Sequence, residues 1–268
     1  MSQHVATFRQ MHGGPGLLRF PNAWDAGSAR LFESLGARAI ATTSAGVAWA
    51  LGYPDGGRTP ADVAIGAAVN MARVLRVPLS VDLENGYAED PATVGETVRR
   101  LIDAGIAGLN IEDGRDAPEK LAAKIEAIRS AAANAGADIF VNARTDVFLA
   151  SLVDAPQRVG ETLSRAATYR TAGADSLFVP GLRDAGEIAA VVEGAGLPVN
   201  LMACPGLAPA SELERLGVRR LSAGSGIAQM LWGQAGKLAQ EFLDSGRSES
   251  MAEGAMPYPQ LQALFAGR

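Results

Sequence analysis

Residues 101–113 read Leu-Ile-Asp-Ala-Gly-Ile-Ala-Gly-Leu-Asn-Ile-Glu-Asp, and this stretch sets the fold. A helical segment closes on a glycine, the chain turns, and a short apolar strand runs out to two acids. Glycine suits the left-handed position that ends a helix before the chain reverses. The same unit recurs at 31–43 (LFESLGARAIATT), 169–180 (YRTAGADSLFVP) and 213–224 (LERLGVRRLSAG), with further copies in AANAGADIFVNAR and VEGAGLPVNLMA. Strands that alternate with helical segments are βα units around a parallel sheet.

Working outward, the pattern predicts strands at 17–20, 39–43, 78–82, 108–112, 139–144, 176–179, 199–202 and 220–223. Their nearly continuous Val/Ile/Leu/Ala character fits strands buried on both faces. Eight βα repeats in 268 residues predict an α/β fold of the (β/α)8 TIM-barrel type, usually built from about 250 residues. An open, doubly wound sheet is the alternative. A single domain is expected over 1–268, with a short N-terminal arm and a C-terminal helical segment over about 226–268. That segment holds a long helix, a short break and a last helical turn at 258–265.

Composition narrows the function classes. The net charge of −5 leaves no basic footprint for nucleic acid. The N-terminal MSQHVATFRQMHGG lacks a signal-peptide layout and no long apolar run suggests a membrane span, so a cytoplasmic protein is expected. The lone cysteine, Cys204, allows neither an intrachain disulfide nor a thiolate cluster, and a buried free thiol is its expected role. The two histidines, His4 and His12, precede the first strand, which argues against a Ser-His-Asp arrangement or a His-rich zinc site. No GxxxxGK[ST] loop occurs, and no GxGxxG follows a strand.

What remains is carboxylates, arginines, hydroxyls and backbone amides. In a (β/α)8 barrel the functional groups sit at the C-terminal strand ends. Here those ends carry Asp82 and Glu84, Glu112 and Asp113, and Arg144-Thr145-Asp146, next to the small residues Thr43, Ser44, Ala45 and Gly46. Asn200 and Ser222 decorate later strands, and Asp25 is placed to cap the helix that follows it. Acids gathered at neighbouring strand ends repel one another unless a cation neutralises them. Mg2+ suits the set, because it takes few direct carboxylates and keeps waters. Arg144 can then grip a substrate carboxylate.

In order and at these spacings, PNAWDAGSA, TTSAGVAWALGYPDGG, SVDLENGYA, LNIEDG and VNARTD make the chain resemble the isocitrate lyase/phosphoenolpyruvate mutase superfamily over nearly its whole length. The resemblance implies a barrel, often in homodimers or homotetramers that exchange the last barrel helix, and a small 2-oxo or 2-hydroxy carboxylic acid as substrate. It implies Mg2+, or Mn2+ in its place, as cofactor. Residue by residue, it makes Asp82 the direct metal ligand, with Glu84 and Glu112 as supporting acids around the metal. Asp55 becomes the acid of a Pro-Asp loop beside metal and substrate, with Asp55, Glu112 and Arg144 as the catalytic set. Thr43, Ser44, Ala45, Arg144 and Asn200 are the expected substrate-binding residues.

The chain departs from the family after 113. Isocitrate-type lyases carry a Lys-Lys-Cys-Gly loop there, and mutases a longer loop with a lysine and an asparagine. Here the stretch is Gly-Arg-Asp-Ala-Pro-Glu-Lys, 114–120. The expectation is therefore a Mg2+-dependent lyase that breaks a C–C bond through an enolate. Decarboxylation suits it best, because that reaction needs no cysteine acid. C–P chemistry on phosphonopyruvate and non-catalytic binding of a 2-oxo acid are the alternatives.

Overall fold

A computed structural model describes residues 3–266, so the four terminal residues of the expected domain lie outside the described chain. The predicted strands form within a residue or so of their predicted bounds, with one addition. The elements run α1 (Gln3–Gly13), β1 (Leu18–Phe20), β2 (Asn22–Ala23), α2 (Ala26–Ser34), β3 (Ile40–Thr42), α3 (Ser44–Ala50), α4 (Ala61–Val74) and β4 (Leu79–Asp82). They continue as α5 (Pro91–Asp103), β5 (Gly108–Glu112), α6 (Pro118–Asn134), β6 (Phe140–Arg144), α7 (Arg158–Ala172), β7 (Ser176–Phe178), α8 (Ala185–Gly194), β8 (Val199–Met202), α9 (Ala210–Arg215) and β9 (Arg220–Ser222). Three helices follow: α10 (Gly226–Ser245), α11 (Glu249–Ala252) and α12 (Tyr258–Phe265).

Every strand pairing is parallel, in the order β1-β9-β8-β7-β6-β5-β4-β3-β2. β1 bonds to β9 and β2 bonds to β3, and only Pro21 separates β1 from β2. Proline has no N–H to give to a ladder. The first barrel strand is therefore one extended segment, broken at Pro21, that joins both edges of the sheet and closes it. The open-sheet alternative is excluded, and nine strand segments stand for the eight expected.

Alternation along the strands divides the chemistry. Outward residues such as Leu109, Ile111, Val141, Ala143, Leu177, Val199 and Leu201 join helix residues in the main core. The expectation of apolar residues on both faces is corrected here, because inward positions in the middle of the barrel are polar. The Asn142 amide donates to Asn110 Oδ1 (2.8 Å), Ser176 Oγ to Asn142 Oδ1 (2.6 Å) and Ser222 Oγ to Asn200 Oδ1 (3.2 Å). Such groups are tolerated inside because they satisfy one another.

The expected N-terminal arm is a helix that seals the bottom of the barrel. Phe8 lies 5.8 Å from the Phe20 ring and 5.2 Å from Phe140, edge-on to the latter. Gly108 makes room, since a Cβ there would stand 2.9 Å from Phe8 Cε1. At the other end of the chain, α10 has only Ala228 buried among its twenty residues, and Met230, Leu231, Trp232, Phe242 and Leu243 are exposed. α12 returns to α2, where Arg30 Nε donates to the Leu264 carbonyl at 2.8 Å. Among the described residues no helix is long and apolar enough to cross a membrane.

Candidate active site

The C-terminal strand ends surround a cavity of about 190 Å3. That is below the roughly 300 Å3 at which pockets for drug-sized ligands begin, so it suits a small acid. Thr43, Ser44, Ala45, Asp55, Asp82 and Arg144 line it, as do Asn22, Asn110, Phe178, Met202 and Ser222. Of the expected metal, catalytic and substrate-binding residues, Glu84, Glu112 and Asn200 stand outside the lining.

Asp82 is held by its neighbours. Its Oδ2 accepts from the Ser44 amide at 3.2 Å, and its own amide donates to Thr42 Oγ1 at 2.8 Å. One amide of the Thr43–Ala45 loop thus orients Asp82. Beyond it the chain enters a tight turn. Gly86 donates to the Leu83 carbonyl at 2.7 Å, Asn85 Oδ1 accepts from the Tyr87 amide at 3.0 Å, and buried Lys124 reaches the Asn85 carbonyl at 2.8 Å. Glu84 has a φ of 51°, a left-handed conformation that costs a non-glycine residue on the order of 1–3 kcal/mol. The turn aims its carboxylate at the Gly57 amide, with the Tyr87 hydroxyl as a second partner. Glu84 therefore ties down the rim loop that carries the exposed Asp55. Burial raises the Glu84 pKa, the Gly57 amide opposes the rise, and Asp82 and Asp55 add to it.

Glu112 at the end of β5 and Asp113 just after it diverge, as successive residues of an extended strand do. Asp113 turns outward, accepting from Tyr169 Oη (2.6 Å), Arg165 Nη1 (2.8 Å) and the Asp146 amide (2.9 Å). It joins β5 to α7 and is a structural residue. Glu112 turns inward, where its Oε2 lies 2.7 Å from Arg144 Nη1. That contact is an ion pair without hydrogen-bond angles, and the oxygen has no other partner. Burial pushes the Glu112 carboxyl up to about 8; Arg144 opposes the rise, and Asp82, Asp146 and Glu84 reinforce it.

Arg144 is clamped on its far edge by Asp146, with Nε to Oδ1 at 2.7 Å and Nη2 to Oδ2 at 3.0 Å. Two of the five guanidinium N–H donors are hydrogen-bonded to Asp146, and Nη1 lies against Glu112 in the ion pair, which leaves donors for a ligand. Phe178 faces the guanidinium, 5.8 Å from ring centroid to its carbon. Asn200 is buried beneath the floor, accepting from the lining residue Ser222, while its Nδ2 has no partner. Cys204 is half-buried in the loop after β8 and does not line the cavity, which corrects the expectation of a buried thiol. No residue of 114–120 lines the cavity either, and Lys120 pairs on the surface with Glu89 and Asp116.

Among the described residues no three acid side chains converge as a closed metal shell, so Asp82, Glu84 and Glu112 do not form one. The donors still fit Mg2+, which needs one or two carboxylates and keeps its waters. Asp82 faces the cavity, and Glu112 keeps an oxygen without a directed bond. Sequence reading overlooked Asn110, Phe178 and Met202 in the wall, the clamp by Asp146, and buried Arg220 below. Counting two residues back from Glu112 and from Ser222 reaches Asn110 and Arg220 on the same inward face.

The chain is similar to known proteins over most of its length. The phosphoenolpyruvate phosphomutase family matches residues 8–243. An uncharacterized protein of Mycobacterium tuberculosis is 40% identical over 228 residues, covering 82% of each chain. Oxaloacetate decarboxylase of Pseudomonas aeruginosa is 30% identical over 227 residues, covering 80% of this chain and 76% of that one. The solved structure of a candidate lyase/mutase from Burkholderia cenocepacia superposes with a TM-score of 0.89 at 35% identity, covering 99% of this chain and 96% of its own. With a closed parallel barrel, acid-tipped strands and these relatives, the chain belongs to the phosphoenolpyruvate phosphomutase family, within the isocitrate lyase/phosphoenolpyruvate mutase superfamily of lyases.

Proposed function

We propose that the chain is a divalent-cation-dependent lyase that breaks a C–C bond on the carbon next to the oxo group of a small 2-oxo acid, leaving an enolate. The observation that carries this reading is the shared cavity of Asp82 and Arg144, an anionic and a cationic wall around a space for one small acid. Asp82 would hold Mg2+ directly, with Glu84 and Glu112 acting through its hydration shell. When bound, the cation supplies Lewis-acid stabilisation of developing negative charge.

The chain's own residues supply the rest. The remaining donors of Arg144 bind the substrate carboxylate, and the hydroxyls of Thr43 and Ser44 orient its oxygens. Phe178, Met202 and Leu149 give an apolar wall that strengthens these contacts by excluding water. The proton that quenches the enolate comes from Asp55 on the rim, or from solvent held by Glu84 and Glu112. No cysteine or lysine lines the cavity, so a reaction without a thiol or amine acid fits best. Decarboxylation of a four-carbon 2-oxo diacid is such a reaction, and the likeness to oxaloacetate decarboxylase supports it.

Oxaloacetate consumption followed with and without Mg2+ tests the reading, with Asp82→Ala expected to abolish turnover. Full activity in Asp82→Ala overturns the metal site. Turnover of phosphonopyruvate in place of oxaloacetate would point to C–P chemistry, and Mg2+-dependent oxalate binding without turnover of any 2-oxo acid to a binding protein. The exposed apolar side of α10 supports assembly through exchange of that helix between copies. Light scattering on Trp232→Glu, expected to give monomers, tests this.

A further inference from the structure

The layer under the cavity floor holds a second, uncompensated charge. Arg220 in β9 is wholly buried on the barrel axis. Its Nε lies 3.3 Å from Ser222 Oγ, its Nη2 lies 3.5 Å from Asn110 Oδ1, and its guanidinium carbon sits 4.8 Å from the Phe20 ring centroid. Nη1 has no partner, and among the described residues no carboxylate forms an ion pair with it. Two further buried polar atoms, Ser80 Oγ and Asn200 Nδ2, also lack partners. The interior below the cavity is thus rich in donors and carries a cation without an anion.

Burying an unpaired guanidinium is expensive unless something compensates it. Burial pulls the Arg220 pKa down while Asp82 opposes the fall, and a guanidinium keeps its proton in proteins, so the group is charged. Its two hydrogen-bond neighbours, Asn110 and Ser222, both line the cavity. The cation therefore stands behind the floor, where its field reaches whatever occupies the space above.

We propose that Arg220 is a positioning residue that sets the charge balance of the site, offsetting Asp82 and its neighbours so that a dianionic substrate binds beside the divalent cation. The proposal rests on the reading of the cavity as a cation and 2-oxo acid site. A residue that merely fills the barrel makes a different prediction. Losing a filler weakens every ligand, whereas losing a positive charge weakens anions and tightens cations.

The experiment uses two neutral variants, Arg220→Gln and Arg220→Met, with Arg220→Lys as the charge-keeping control and circular dichroism to establish folding. Mn2+ is titrated alone, and oxalate is titrated at saturating Mg2+, both by calorimetry. In the neutral variants oxalate should bind about tenfold more weakly and Mn2+ about threefold or more tightly, the scale of a unit charge acting at an effective dielectric near 20. Arg220→Lys should stay within about threefold of the parent for both ligands on the same argument. Parallel losses of both affinities, or no change in either, overturn the proposal. If neither neutral variant folds, the lysine variant decides, and loss of oxalate binding with the charge kept overturns it. A parent protein that binds neither ligand removes the functional reading itself, whatever Arg220 does.

Discussion

The two ends of the barrel handle charge in opposite ways. At the bottom, Arg9 and Arg129 meet Asp138 and Asp175, two cations against two acids. Arg9 Nε and Nη2 donate to Asp138 at 2.9 and 3.0 Å, and Arg129 bonds Asp175 and the Gly173 carbonyl. At the top, Arg144 contacts Glu112 and Asp146, while Asp55, Asp82 and Glu84 stand close by without an ion pair to it. Burial near like charges raises the pKa of two of these acids, Glu84 and Glu112. Acids matched by protein cations serve the fold, and acids left without them are open to a ligand.

The two ends also titrate in opposite windows. His12 in the bottom plug is packed against Phe140 at 4.3 Å, and burial, with help from Arg220, lowers its pKa to about 3. The unfolded chain protonates it near 6.5, so its contribution to stability is complete above 6.5 and is lost as pH falls toward 3. Glu112 is the reverse case, raised from 4.5 to about 8. Its contribution is complete below 4.5 and is lost as pH rises through 8.

The contrast can be broken most sharply at Arg144. Arg144→Gln should lower turnover by about a hundred- to a thousandfold, the usual loss when a transition-state donor is removed. Steady-state kinetics with oxaloacetate would show it, and unchanged kcat/KM would end the assignment. Phe8→Ala should act at the other end, costing about 3–5 kcal/mol in denaturant unfolding while the kinetics of the folded protein stay near the parent's. A large kinetic effect there would mean that the two ends are coupled.

The titration windows separate the ends further. In thermal unfolding of metal-free protein, His12→Phe should flatten the loss of stability between pH 6.5 and 3. Glu112→Gln, or saturating Mg2+, should flatten the loss between pH 4.5 and 8. Exchange of these effects between the variants would refute the division. The smallest effect belongs to the partly exposed bottom pair, where Arg9→Gln should cost about 1 kcal/mol of stability and leave turnover unchanged.

Much of this was legible in the sequence because βα repeats are local. Helix, glycine, strand and terminal acid follow one another along the chain, so their order placed Asp82, Glu112 and Arg144 at one end of a barrel. The capping of α2 by Asp25 was equally local, and its carboxylate accepts from the Ser28 amide at 2.6 Å. Glu112 and Asp113 could not be told apart by composition, since their opposite directions follow from the pleat and from Arg165 and Tyr169 far along the chain. The polar barrel interior was hidden too, because a strand's average hydropathy mixes the inward face with the outward one.

The sequence by itself determined the α/β class, the parallel βα repeats and the strand ends at which the acids gather. These depend on periodicity and turn chemistry within a few residues. Only the tertiary structure decided which acids remain open. Glu84 is drawn to Gly57 by a left-handed turn, Asp113 is neutralised by α7, and Arg144 is clamped by Asp146. It also set Arg220 beneath the floor without an acid partner. Charge compensation is a property of neighbours in space, and the neighbours here come from strands and helices far apart in the chain.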